Sequence, residues 1–78
     1  MNFQMQSQND DQSVVWSGCP DDIVRKIECK RFQRDYTCNC LENGVQRRFF
    51  SAPEPPDFSS NETAARIGRT QCKMGFGN

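Results

Sequence analysis

The chain reads as a small α+β domain stapled by disulfides, and three features predict it. Tyr36 to Phe50 has the pattern of a β-hairpin centred on Asn43-Gly44, the favoured pair for a type I′ turn because both central residues take φ > 0. Residues 60–73 follow a helix-start signal, with Ser59 at the N-cap and Glu62 three residues on. Five cysteines stand in 78 residues, a density that points to a disulfide framework and an oxidising compartment. The predicted architecture is a helix over about 20–28 and a two- or three-stranded antiparallel sheet with the hairpin 36–41/45–50. A C-terminal helix over about 60–73 packs on that sheet.

Length gives one domain, assigned to residues 14–74, with a core that contributes little stability before cross-links. Leu41 is the only leucine, so six Phe, Trp16 and Tyr36 carry much of the packing. Residues 1–13 hold four Gln, two Asn, two Ser and two Asp. Such a composition buries little and predicts a disordered polar tail. Val14-Val15-Trp16 is the first apolar cluster and reads as core or as a short edge strand.

Pro20 suits a first helical position and Asp21 and Asp22 suit the positive end of the helix dipole. Asp21–Arg25 and Asp22–Lys26 are then i,i+4 pairs, and Ile23, Val24 and Ile27 share one arc. Continuing the helix would put Cys29 and Phe32 on the wrong side, so a change of structure is expected near Glu28. Cys29 to Gln33 then reads as a strand pairing with 35–41 around Arg34.

A two-residue turn at Asn43-Gly44 sets the hairpin register: Glu42 faces Val45, Cys40 faces Arg47, Cys38 faces Phe49 and Tyr36 faces Ser51. Alternation places Tyr36, Cys38, Cys40 and Phe49 on one face, with Leu41, Arg48 and Phe50 on the other. Three prolines at 53, 55 and 56 exclude a ladder there and read as a connector from sheet to helix. In the second helix Ala64, Ala65, Ile67, Gly68 and Cys72 lie on one side, and the small residues allow close approach to the sheet. Gly75 and Gly77 mark a flexible end over 75–78.

Cys38 and Cys40, at i and i+2 on a strand, lie too far apart to bond to each other. Each needs another partner, and Cys29 and Cys72 are the candidates, which leaves Cys19 unpaired. A four-thiolate zinc site from Cys29, Cys38, Cys40 and Cys72 is the rival. It lacks the paired knuckles of structural zinc, so disulfides are favoured. No other metal or cofactor is indicated.

The chain has no His, which removes the commonest general acid/base and the usual triad base. The carboxylates show no catalytic spacing, and no phosphate-binding loop is present, so the chain reads as no enzyme and takes no small-molecule substrate. Net charge is zero, which argues against a nucleic-acid partner although Arg47-Arg48-Phe49-Phe50 mixes charge with aromatics. Asn61-Glu62-Thr63 matches an N-glycosylation acceptor, a short motif with frequent chance matches.

The expected function is a non-catalytic, extracytoplasmic protein-interaction module: an envelope or lipoprotein-type domain, or a secreted inhibitor, in the periplasm or outside the cell. The partner is another protein. The expected surface is centred on Leu41, Arg48 and Phe50, with Asn39 and Gln46 at its edge, because an aromatic, an aliphatic and an Arg combine there. The alternative is a cytosolic nucleic-acid-binding or regulatory protein with reduced or zinc-bound thiols. The N-terminus has neither a cationic region nor an apolar run, so it is not read as a signal peptide but as a mature form with an added Met. Trp16-Ser17-Gly18-Cys19 resembles the end of a lipoprotein signal, with Cys19 as the acylated residue, but no apolar segment precedes it. No transmembrane run occurs.

Overall fold

Backbone pairing dominates this molecule. The structure, a computed structural model, describes residues 1–76. Five strands follow one another in chain order as one antiparallel sheet: β1 (Asn2–Gln8), β2 (Asp11–Ser17), β3 (Arg25–Phe32), β4 (Asp35–Glu42) and β5 (Val45–Ala52). One helix, α1 (Asn61–Gln71), follows. The predicted α+β domain is therefore corrected to a mostly β fold, a five-stranded meander with a short C-terminal helix.

The expected helix over 20–28 does not form. Pro20 occupies the second position of a β-turn instead, closed by the Asp22 N–H donating to the Cys19 carbonyl at 2.9 Å. Asp22 then takes φ 60°, which no α-helix accommodates. From Arg25 onward the burial period is two: Arg25, Ile27 and Cys29 are buried while Lys26, Glu28 and Lys30 are not. The Asp21–Arg25 pair is made, at 2.6 Å, but between a turn and a strand rather than along a helix. Asn43 clips the loop in place: its side-chain oxygen accepts from the Val24 N–H, and its own N–H donates to the Val24 carbonyl.

Residues 1–13, expected as a disordered tail, hold β1 and the start of β2. All seven β1 residues pair with β2, from Asn2↔Ser17 to Gln8↔Asp11. Asn9, at φ 56°, makes the turn; Asn tolerates this region better than most residues. An edge strand needs little apolar surface, because its partner supplies the ladder. Phe3 still packs on Trp16, with ring centroids 5.7 Å apart.

The β4–β5 hairpin turns where expected, with Asn43 at φ 50° and Gly44 at φ 81°. Its register holds only for Glu42↔Val45 and Leu41↔Gln46. A bulge then inserts Arg47, so Cys40 faces Arg48, Cys38 faces Phe50 and Tyr36 faces Ala52. One extra residue reverses the faces of everything beyond it. Phe50, not Phe49, joins the cysteines.

Trp16, Val14, Ile27, Cys29, Cys38 and Cys40 build the core on one sheet face, and α1 covers it with Ala64, Ala65 and Gly68. Phe58, beyond the prolines, is buried there too. The helix is capped one residue later than predicted: Ser60 accepts from the Thr63 N–H, and Thr63 Oγ1 accepts from the Ser60 N–H. Past the helix, Lys73 at φ 58° turns the chain back. Met74 and Phe76 are buried, and an added Cβ at Gly68 would stand 3.1 Å from both. The small residue at 68 thus admits this terminal hook. The expected flexible end fails at Phe76, and its last two positions, 77 and 78, lie outside the described residues.

Candidate functional site

Two disulfides fix the central strands. Cys29 and Cys38 are direct cross-strand partners, with Cα atoms 4.0 Å apart. The two-residue turn at Gln33-Arg34 makes Phe32↔Asp35 a hydrogen-bonded pair, and counting back by alternation makes Cys29↔Cys38 a non-hydrogen-bonded one. In that kind of pair the side chains approach most closely. Cys40 reaches the end of α1 and bonds to Cys72, Cα to Cα 5.8 Å. With all four sulfurs so engaged, the zinc alternative is removed. Cys19 is free and buried. Among the described residues, no group of three or more His, Cys, Asp or Glu is placed to hold a metal ion.

A charged centre supports one end of the core. Arg25 is 4% exposed and donates to both carboxylate oxygens of Asp21, at 2.6 and 3.2 Å. Its guanidinium carbon lies 5.5 Å from the centroid of the Phe76 ring, a cation–π distance, while its Nε has no hydrogen-bond partner among the described residues. The hydrogen bond from Arg25 holds the Asp21 carboxyl below its usual 3.8, and the same bond raises the Arg25 guanidinium against the opposing effect of burial.

A carboxyl depressed in the folded state adds stability that is complete above its unfolded pKa and disappears as pH falls through the folded value. Urea unfolding of the wild type and Asp21→Asn between pH 6 and pH 2 tests this. The wild type should hold a stability advantage at pH 6 and lose it below about pH 4. Parallel curves would show that the pair contributes nothing. Asp57, whose carboxyl is lowered by its hydrogen bonds with Ser59, is common to both proteins and cancels.

The sheet face away from α1 is open. Across it, Lys26 and Glu28 form an ion pair at 2.7 Å. Gln6, Gln8, Ser13, Lys26, Glu28 and Lys30 help line a shallow groove of about 610 Å³. Leu41 and its partner Gln46, and Asn39 and its partner Phe49, lie on the same face. Phe49 is 68% exposed.

The predicted site is thereby divided. Leu41, Asn39 and Gln46 stay together on the open face. Arg48 and Phe50 lie on the cysteine side, where Phe50 packs against the core. Phe49 replaces Phe50 beside Leu41, an exchange the bulge alone produces. The sequence alone places Arg25 on a helix, as the i,i+4 partner of Asp21. Its burial was foreshadowed only by its two-residue spacing from Ile27 and Cys29. The Asn61 side chain of the glycosylation motif accepts a hydrogen bond from Trp16 Nε1 at 2.9 Å.

No protein-family model, no curated protein and no solved structure matches the chain. Two disulfides are consistent with an oxidising, extracytoplasmic location. Among the described residues, no helix is long and apolar enough to cross a membrane.

Proposed function

We propose that this chain is a non-catalytic protein-binding module of an oxidising, extracytoplasmic compartment, either secreted or periplasmic. The observation that carries the reading is the pair of disulfides, which spend four of five cysteines on rigidity and leave one sheet face uncovered. That face presents Phe49 and Leu41 among amides and a Lys–Glu pair, an aromatic and an aliphatic anchor within a polar rim. A stapled sheet binds with little loss of conformational entropy, because its backbone is ordered before the partner arrives.

The test has two readouts on protein isolated from its source without reductant. Thiol titration after unfolding should count one thiol, that of Cys19, and five after reduction. Immobilised protein should then retrieve a partner from the extracytoplasmic fraction, and Phe49→Ala should lose most of it. Because Phe49 is exposed, the substitution should change stability by no more than about 0.5 kcal/mol. Five free thiols in the isolated protein would refute the compartment. Equal retrieval by both proteins would remove this face.

A further inference from the structure

The two edges of the sheet are not alike. β5 carries Arg47, Arg48 and a bulge, devices that discourage strand addition. β1 carries none: no charge, no proline, and an unbroken register of seven pairs with β2. Among the described residues it has a strand on one side only.

We propose that β1 pairs antiparallel with β1 of a second copy of this chain, joining two five-stranded sheets into one. The turn determines which groups are available. A two-residue hairpin makes Gln8↔Asp11 a hydrogen-bonded pair. Alternation then directs the N–H and C=O of residues 8, 6, 4 and 2 toward β2, and those of Phe3, Met5 and Ser7 outward. A two-fold axis through Met5 sets Met5 opposite its own copy and Phe3 opposite Ser7 of the second copy. Every outward donor and acceptor of the three residues is then satisfied. Displacing the axis by one residue, to Gln4, sets Ser7 opposite Met1, which lies outside β1.

The side chains favour the same arrangement. On the open face Gln4 meets Gln6 of the second copy, amide to amide, with no charge to desolvate. On the core side the two Met5 side chains, each 49% exposed alone, cover one another beside Phe3. Antiparallel pairing also carries the two acidic Asp10-Asp11 turns to opposite ends of the interface, whereas parallel pairing would set them side by side.

Sedimentation equilibrium tests the pairing. The wild type should approach twice the chain mass of 9.0 kDa as concentration rises. Met5→Lys puts two like charges across the axis and should halve the mass while leaving the disulfides and circular dichroism unchanged. Met5→Glu should behave likewise, and a mixture of the two variants should restore the dimer. Val45→Lys, on the opposite edge, should have no effect. A wild type that stays monomeric at millimolar concentration overturns the proposal. So does a dimer indifferent to Met5→Lys, or a mixture of the charged variants that stays monomeric.

Discussion

Replacing Cys40 and Cys72 together by Ala is expected to lower the unfolding free energy by roughly 3–4 kcal/mol, from the entropy of closing a loop with a sequence separation of 32. That is a large share of what a single domain this size commands. The corresponding loss for Cys29 and Cys38, separated by nine residues, should be roughly 2.5 kcal/mol by the same relation. All four cysteines are buried in the same core, so the Cys→Ala packing loss is similar for the two pairs, and the difference between them isolates the loop term. The structural consequences should differ as well. Cys72 is the C-cap of α1, and its bond ties the helix to the middle of the sheet. Without it α1 and the Met74–Phe76 hook are held by packing and by the Trp16–Asn61 hydrogen bond, and their amides should exchange faster than those of β3 and β4. Urea unfolding of the two double variants, with hydrogen exchange on the first, measures both effects. Equal losses would show that native packing, not loop entropy, governs the cross-links.

How much of this was legible in the sequence depends on the range of the signal. Asn43-Gly44 is local and strong, and the turn forms there. The separation of Cys38 from Cys40 along one strand is local too, and it led to the candidate set that the two bonds use. The Ser-rich start of α1 was legible to within one residue. The bulge was not, because nothing in Gln46-Arg47-Arg48 marks an extra residue. The bulge is nevertheless what brings Phe50 onto the core, and it exchanged Phe49 and Phe50 in the candidate surface. Pro20-Asp21-Asp22 suits a helix start and a β-turn equally well. The choice rests on Arg25, Ile27 and Cys29 being buried together on a strand, a tertiary fact. β1 was hidden for a similar reason. Its polar composition describes its side chains truthfully, while its order comes from the backbone ladder that Val14-Val15-Trp16 offers it.

Trp16 should be the most sensitive single position in the sheet, with Trp16→Ala costing about 3–5 kcal/mol, the range for removing a large buried aromatic. The side chain is fully buried and touches all three parts of the molecule that the sequence left unconnected. Its ring meets Phe3 of β1 and, edge to face at 4.9 Å, Phe76 of the terminal hook. Its Nε1 donates to Asn61 at the start of α1. Packing and hydrogen bonding separate through a second variant. Trp16→Phe keeps most of the apolar contact and deletes the donor, and because Asn61 is exposed, water takes up the freed acceptor. That change should cost about 1 kcal/mol for the hydrogen bond, plus the smaller ring's lost contacts. Asn61→Ala leaves the indole N–H buried without a partner and should cost more, about 1–3 kcal/mol. In the double variant Trp16→Phe/Asn61→Ala the loss should fall short of the sum, because neither orphaned group remains. Strict additivity would show that the bond joining sheet to helix carries no coupling energy, and a mild Trp16→Ala would show that Phe3 and Phe76 close over the space it leaves.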